Sequence, residues 1–455
     1  MIRRYLDATF ELPTHPQRVD LAHPYRPCGC GVKLDVDGIV APTLARLETE
    51  DERTRSFGAA RRRDAFVSRR APHFLTRALN SAAAPWCELP RRSGGALAVV
   101  ELTSLGAHAD LQAKFHALQA EKFMRLSELT PGLSFAKGHS IEAGLDFTVL
   151  DFFSLGETQD SYFALNNDTI VTCDSVLHPH AWESVFTSFN NALNDLFVGG
   201  ATDELELWPV YDGPAETLPI FRAHFDDYAR SMREFGVEIT LHPTRPLGIG
   251  AHLIGATVKG AGPVAPSTFA GLRPGDDIII TEELGDLALL SAHRMAWRAG
   301  QVSPELRAFR ELVLRRFTTP RYSLAKLAQR FRPRFGESTR PDKHLSFISD
   351  LSGPGLKVLR EAAQLSGQTV LLEDIEYIDP LVFSGPRKNY TSSTNGGWVM
   401  AGAPELVRQV LAELRALGFA SSRKIGRVLG PSEGQLHFSP ELQERFRAHP
   451  AALAF

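Results

Sequence analysis

The chain has 455 residues, 43% of them hydrophobic, which is enough apolar material for two or three domains with their own cores. Its formal net charge of −3 excludes a strong overall attraction to nucleic acid or to a membrane surface. No apolar run approaches the roughly 18 residues of a membrane span, and the N-terminus lacks the apolar core of a signal peptide. With four irregularly spaced cysteines, the sequence predicts a cytoplasmic protein without nucleic-acid or membrane partners.

Residues 1–40 are interpreted as an N-terminal arm that carries Cys28, Cys30 and Lys33 between glycines and prolines. A thiol near a lysine can have a lowered pKa and can act as a nucleophile. The alternative is a pair of incidental thiols in a flexible arm, and the residues alone favour that alternative.

Residues 41–155 are predicted to form an inserted α/β segment. Ten arginines and no lysine occur between residues 53 and 92, a pattern typical of a solvated helix face. An anion-binding patch is the alternative, because arginine favours bidentate contacts to phosphate and carboxylate. A strand over residues 95–105 and a helix over residues 107–128 follow in the prediction.

The stretch from Gly156 to Gly200 collects acidic side chains. Two β-like runs, at residues 161–165 and 169–173, flank an Asn-Asn-Asp sequence and predict a β-hairpin. Such a hairpin would place Asp160 opposite Asp174, and two carboxylates this close repel unless a proton or a cation lies between them. A divalent metal is one solution, and solvated turn carboxylates are the alternative.

A helix from Trp182 to the Gly199-Gly200 pair is predicted next, with apolar residues on one face. Asn191 and Asp195 share its less apolar side because they are four residues apart. Asp195 lies in the last turn, where the helix dipole disfavours negative charge, so a nearby cation would stabilise it. It is otherwise a surface carboxylate. Further elements are predicted at residues 205–210 (strand), 215–235 (helix) and 252–259 (strand), with a linker at 261–267.

The second half, residues 263–455, opens with a buried strand that ends in three isoleucines at 278–280. A helix is predicted from Pro304 to Arg316, capped by Ser303. Asp350 follows an apolar step and precedes Gly353 and Gly355. This pattern indicates either a carboxylate beside a metal with backbone N–H groups facing phosphate, or a simple helix N-cap. A helix at residues 404–417 and a strand at 424–429 are predicted near the end.

In their order along the chain, these motifs resemble those of the selenophosphate synthetases, also called selenide, water dikinases. That family belongs to the superfamily that includes aminoimidazole ribonucleotide synthetase. The shared motifs are Cys28-Gly-Cys30 with Lys33, Thr158-Gln-Asp160, Val171-Thr-Cys-Asp174, Asn191-Ala-Leu-Asn-Asp195 with Gly199-Gly200, Leu272-Arg-Pro-Gly275-Asp, Leu284-Gly285, Ser349-Asp-Leu-Ser-Gly353-Pro-Gly355, Asn395-Gly-Gly397 and Ile425-Gly-Arg-Val428.

The resemblance implies an α/β (α+β) subunit with a two-domain synthetase-like fold, mixed sheets packed by helices, and a large N-terminal insertion. It implies an ATP- and metal-binding domain at residues 156–262, a C-terminal α/β domain at 263–455, and a homodimer. The site residues carried over are Asp160, Asp195 and Asp350 for Mg²⁺, Asp174, Asn191, Gly353 and Gly355 around the nucleotide, and Cys28, Cys30 and Lys33 for catalysis.

The expected function is therefore an ATP- and Mg²⁺-dependent phosphotransferase that forms selenophosphate or a related chalcogen phosphate. Four features depart from the family pattern. Gly31-Val32 stands between Cys30 and Lys33, and a single Asp160 stands where the family has an acidic pair. The Cys loop is separated from Asp160 by a long segment, and Leu241-His242-Pro243 stands where the family has a Gly-Gly-His signature. The alternatives are an ATP-dependent enzyme that acts on a different small nucleophile, served by residues 41–155, and a non-catalytic scaffold that keeps the fold.

Overall fold

The computed structural model describes residues 98–99, 154–157 and 162–447 with gaps at 171–172, 175, 179, 214, 245–252, 266–270, 299, 335–336, 353–354, 379–395 and 433, together with residue 453. The whole arm and most of the segment 41–155 therefore lie outside the described residues, including the predicted helix at 107–128. Within the described ranges, none of the helices is both long and apolar enough to cross a bilayer.

The first sheet has six strands in the order β1-β2-β3-β6-β4-β5. All neighbours are antiparallel except β4 and β5, which run parallel. The strands are β1 (Ala98–Val99), β2 (Ser154–Glu157), β3 (Tyr162–Ile170), β4 (Asp203–Asp212), β5 (Ile239–Leu241) and β6 (Leu253–Gly262).

The predicted hairpin at residues 161–173 is wrong. Residues Tyr162–Ile170 form one continuous strand, β3, which pairs with β6 along its whole length. The turn propensity of the Asn-Asn-Asp sequence is overridden because Asn166 and Asp168 are buried on one face of the strand, and Asn166 bonds to the helix that follows. Without a turn inside this strand, the predicted placement of Asp160 opposite Asp174 loses its basis, and Asp160 itself lies outside the described residues.

The predicted helix at Trp182 is confirmed as α1 (Trp182–Gly199). It ends at Gly200, which has a left-handed φ of 98° and whose N–H bonds to the carbonyls of Leu196 and Phe197. Its polar side is buried as well as its apolar side, because α1 packs against β3 and β6 on one side and against the second half of the chain on the other. A second helix, α2 (Leu218–Glu234), covers the same sheet after a short 3₁₀ turn.

The second sheet also has six strands, in the order β12-β9-β11-β7-β10-β8, and only β12 and β9 are parallel. Strand β10 is buried along its whole length, and the isoleucine run at 278–280 is fully buried as predicted. The strands are β7 (Asp277–Ile280), β8 (Phe347–Asp350), β9 (Gln368–Leu372), β10 (Trp398–Gly402), β11 (Arg423–Pro431) and β12 (Gln435–Phe438).

Six helices accompany this sheet. In the one predicted from Pro304, the Ser303 hydroxyl accepts the N–H of Leu306, so the predicted N-cap is confirmed. The helices are α3 (Asp286–Arg298), α4 (Pro304–Thr318), α5 (Tyr322–Gln329), α6 (Lys357–Ser366), α7 (Pro404–Ala416) and α8 (Pro440–Arg445).

The two sheets are joined by a common hydrophobic core. Leu193 of α1 belongs to the same buried cluster as Ile279, Trp398 and Met400 of the second sheet. The predicted fold class, an α/β fold with mixed sheets packed by helices, is confirmed. The strands change from one sheet to the other after Gly262, where the sequence predicts a domain boundary, but the core continues across that point. The division into two domains remains a prediction.

Candidate functional site

Asp195 is fixed by an asparagine on the neighbouring strand. The Asn166 side-chain nitrogen donates to Asp195 Oδ2 at 2.7 Å and to the carbonyl of Ala192 at 3.0 Å. Both asparagine and aspartate are buried. Because a carboxylate removed from water is costly unless it is hydrogen-bonded, this contact stabilises the buried Asp195 carboxylate. The predicted site residue Asp195 is therefore an internal carboxylate and not a surface one.

Asn194 ties this helix to the second sheet. Its Oδ1 accepts the indole N–H of Trp398 at 2.7 Å, and both side chains are almost completely buried. Trp398 is the first residue of β10 and lies directly opposite Asp350 in the antiparallel pair of β10 and β8. Asn194, the residue before Asp195, is thus hydrogen-bonded to Trp398, and Trp398 is the cross-strand partner of Asp350. Helix α1, which carries Asp195, is therefore joined to the strand pair that contains Asp350.

Asp350 ends β8 and organises the turn that follows. Its carboxylate accepts the backbone N–H of Ser352 at 3.2 Å and also the Ser352 hydroxyl. The N–H of Leu351 donates to the carbonyl of Gly397 at 2.9 Å, which holds this turn beside the Gly-Gly motif that precedes β10. Gly355 has a φ of 60°, in the left-handed region that favours glycine. The aspartate thus sits at a turn, at the edge where β7 and β8 end and β10 begins.

Buried charges surround the same edge. Arg321 donates to Glu282 at 2.8 Å, and its guanidinium lies so close to Gly396 that a Cβ at that glycine would be 2.8 Å from Arg321 Nε. Arg316 contacts Glu282, Glu283 and Asp286. Charges at these positions are therefore paired within the protein, as buried charges must be.

Asp174 is paired with an arginine of the second half. Its Oδ2 lies 2.5 Å from Arg310 Nε on α4, and its Oδ1 accepts the N–H of Val176. The sequence predicted that a cation could neutralise Asp174. In the structure the guanidinium of Arg310 supplies the positive charge at this carboxylate.

His293 of α3 lies near Asp174 and Arg310. Burial is the largest cause that lowers the pKa of His293, and the positive charge of Arg310 is the next. The Nδ1 atom of His293 has no hydrogen-bond partner among the described residues.

The lowered pKa of His293 predicts a stability that depends on pH in mild acid. A histidine whose pKa is lower in the folded state contributes stability that is complete above the unfolded pKa of about 6.5 and is lost as the pH falls through the folded value. We expect the melting temperature to fall between about pH 7 and pH 5, and we expect His293→Gln to reduce this fall. Differential scanning calorimetry of the wild type and the variant across that pH range measures the fall in melting temperature. An unchanged pH profile in the variant would show that other groups are responsible.

The remaining predicted site residues are placed as follows. Asn191 is half-buried on α1, one turn before Asp195, as its spacing predicts. Cys28, Cys30, Lys33, Asp160 and Gly353 lie outside the described residues. In the described part of the chain, no three His, Cys, Asp or Glu side chains form a group that could hold a metal ion. Asp174, Asp195 and Asp350 therefore do not make a metal centre by themselves, and the predicted set with Asp160 stays a prediction.

Sequence reasoning missed the side chains that support the site. Asn166 and Asp168 were assigned to a turn, although their alternating positions in a β-branched and aromatic run also fit one face of a strand. Trp398 and Arg321 gave no local signal, because their partners Asn194 and Glu282 are 204 and 39 residues away. Cys173 is a buried thiol whose pKa is raised to about 12 by burial, which excludes it as a nucleophile at neutral pH.

Comparison with known proteins gives matches among solved structures only. No protein-family model matches the chain, and no curated protein does. A HypE–HypF complex matches with a TM-score of 0.46 and 15% identity over 63% of this chain and 90% of that chain. Thiamine-monophosphate kinase from Stenotrophomonas maltophilia K279a matches with a TM-score of 0.46 and 18% identity over 64% and 89%. HypE in complex with ATP matches with a TM-score of 0.42 and 16% identity over 61% and 82%. At these identities and scores the likeness assigns neither a family nor an activity.

Proposed function

We propose that the chain is an ATP- and Mg²⁺-dependent phosphotransferase of the aminoimidazole ribonucleotide synthetase-like superfamily, and that it forms selenophosphate or a related chalcogen phosphate. The observation that carries the proposal is the link from Asn194 through Trp398 to Asp350. It brings the helix with Asp195 and the turn with Asp350 to one region, although these residues are far apart in sequence. The motif order supports the same assignment independently.

The residues of this region suit a hard divalent cation. Carboxylate and amide oxygens are the ligands that Mg²⁺ prefers in proteins. Asp195 and Asp350 supply buried carboxylates, and the Oδ1 atom of Asn166 is a buried acceptor without a hydrogen-bond partner among the described residues. Asp160 completes the proposed ligand set. When bound, Mg²⁺ would neutralise charge on the phosphates during transfer.

The protein's own part in such a reaction is positioning. Phosphoryl transfer depends mainly on alignment and charge neutralisation, so rigid carboxylates and a few mobile groups are sufficient. In this proposal Asp195 and Asp350 are held rigidly, by Asn166 and by the Ser352 turn. Asn191 contacts the nucleotide phosphates. Asp174, paired with Arg310, lies near these phosphates. Gly353 and Gly355 let the backbone approach the phosphates. Lys33 contacts phosphoryl oxygens, and Cys28 or Cys30 carries the chalcogen.

Binding and turnover test the proposal in two steps. Isothermal titration calorimetry should detect ATP binding that is strengthened by Mg²⁺. Selenide should then stimulate release of phosphate and AMP, and the double variant Cys28→Ser/Cys30→Ser should abolish this stimulation while Cys87→Ser retains it. An absence of ATP binding would reject the enzyme proposal and favour the scaffold.

A second acceptor is the alternative within the same class. The inserted Gly31-Val32 changes the spacing of the cysteines and Lys33, and if the family spacing is essential, this loop does not present a chalcogen in the family manner. In that case ATP would bind with Mg²⁺, selenide would not stimulate hydrolysis, and the Cys28→Ser/Cys30→Ser variant would behave like the wild type. A screen of small nucleophiles for stimulated ADP, AMP or phosphate release then identifies the acceptor.

A further inference from the structure

Asn166 is a buried polar residue of β3 that the motif comparison does not include. It lies in the middle of a strand, with 2% of its surface exposed, and its amide faces α1. An asparagine in this position disfavours the strand and is costly to bury, so its contacts must compensate.

The orientation of the amide is fixed by its acceptors. The nitrogen donates to two oxygens, the carbonyl of Ala192 and the Oδ2 atom of Asp195. Exchanging the amide nitrogen and oxygen would bring an oxygen against both acceptors, so the assignment follows from the hydrogen bonds. Both N–H groups are thereby used, and the Oδ1 atom is left as an acceptor with no hydrogen-bond partner in the described part of the chain.

The contact to Asp195 restricts the carboxylate in two ways. One of its oxygens is bound to a donor on a central strand, and the same donor also holds the backbone one turn earlier at Ala192. The same amide therefore links both the Asp195 side chain and its helix to the sheet. A ligand carboxylate held in this manner needs little reordering when a cation binds.

We propose that Asn166 is a positioning residue of the cation site: it orients the Asp195 carboxylate through its amide nitrogen and offers its Oδ1 atom to the cation or to a water bound to it. The inference rests on the proposed function, because it assigns Asp195 to a metal. It adds a residue from β3 to a site that the motifs build from other elements.

Direct metal binding tests this inference without relying on turnover. Mn²⁺ binding, followed by electron paramagnetic resonance, should be weakened about 10- to 100-fold in Asn166→Ala, the range found when a partner of a metal ligand is removed. ATP affinity measured without metal should stay unchanged. Asn166→Asp, which keeps an oxygen acceptor but loses both N–H donors and adds a like charge, should not restore the Mn²⁺ affinity.

Asn190 provides a matched control. It is also a buried asparagine, its nitrogen donates to the carbonyl of Phe317 at 2.8 Å, and its oxygen accepts the Tyr228 hydroxyl at 2.7 Å. Asn190→Ala should lower the melting temperature as Asn166→Ala does, yet leave Mn²⁺ affinity as in the wild type.

The outcomes separate this inference from the proposed function. If the wild type binds Mn²⁺ and Asn166→Ala binds it equally well, the positioning role is overturned and the phosphotransferase proposal stands. If both asparagine variants weaken Mn²⁺ binding to the same degree, a general loss of structure is responsible and the role is again overturned. If the wild type binds neither Mn²⁺ nor ATP, the proposed function fails, and the inference fails with it.

Discussion

Asp350→Asn should reduce ATP turnover by about three orders of magnitude or more while the protein remains folded. The Asn side chain keeps an oxygen that can accept the Ser352 N–H and hydroxyl, so the turn after β8 is preserved. What is lost is the negative charge that the proposal assigns to Mg²⁺, and charge neutralisation supplies much of the catalysis in phosphoryl transfer. Steady-state ATP hydrolysis with Mg²⁺ in excess measures the loss, and calorimetry verifies the fold.

Asp276 offers a matched control in the same sheet, directly before β7 and beside the start of β8. Its carboxylate is buried, accepts the N–H of Arg273 at 3.0 Å and accepts the hydroxyl of Ser346, the residue before β8, at 2.5 Å. Burial raises its pKa, so a neutral replacement is tolerated more easily there. Asp276→Asn should leave ATP turnover close to wild type. Equal losses in both variants, or near-normal turnover in Asp350→Asn, would count against the metal assignment.

Arg316→Met should lower the free energy of unfolding by about 3–5 kcal/mol, the cost of removing one partner from a buried ion-pair group. Arg316 compensates three carboxylates, and one of them, Asp286, has a fully buried side chain. Methionine preserves the volume but leaves the carboxylates without this cation. Urea unfolding measures the change. Arg330→Met is the control, because the Arg330–Glu413 pair is exposed and is expected to contribute about 1 kcal/mol or less.

The same network gives Arg316→Met a distinct dependence on acid. Burial raises the pKa of Glu283. A backbone hydrogen bond and Arg316 together lower it by more than burial raises it, so the net shift is downward. A carboxyl with a lowered folded pKa contributes stability above its unfolded pKa of about 4.3 and loses it as the pH falls through the folded value. In Arg316→Met this loss should shrink or reverse sign. Equal acid-induced losses in variant and wild type would contradict the role given to Arg316.

Local patterns predicted the elements whose signals are contained within a few turns. Helix α1 followed from its apolar spacing and the Gly200 stop, the Ser303 cap from Pro304 at the first helical position, and β7 from its isoleucines. Each of these signals involves residues close in sequence, so the physics that creates the element is visible in a short window.

The failures arise where distant contacts decide the outcome. The Asn-Asn-Asp sequence has a genuine turn propensity, but Asn166 gains two hydrogen bonds from a helix that begins 12 residues after β3 ends, and the strand continues through it. The partner of Asp174 was equally hidden, since Arg310 is 136 residues away. For the site, the sequence placed Asp195 near the end of a helix and Asp350 at the end of an apolar step, and the structure has both residues there, but their role in metal binding stays a prediction. The side chains that hold Asp195 and Asp174 could be identified only from the three-dimensional structure, because they are distant in sequence.

The burial of most of α1 limits how this protein can change. Most helices have a solvent-facing stripe on which substitutions are tolerated, but here even the serines, the threonine and two of the three asparagines of α1 are buried. Both sheets therefore depend on the same 18 residues. A fragment truncated after Gly262 would leave the apolar side chains of this helix uncovered and prone to aggregation, so neither half is an obvious candidate for separate use or for exchange between proteins.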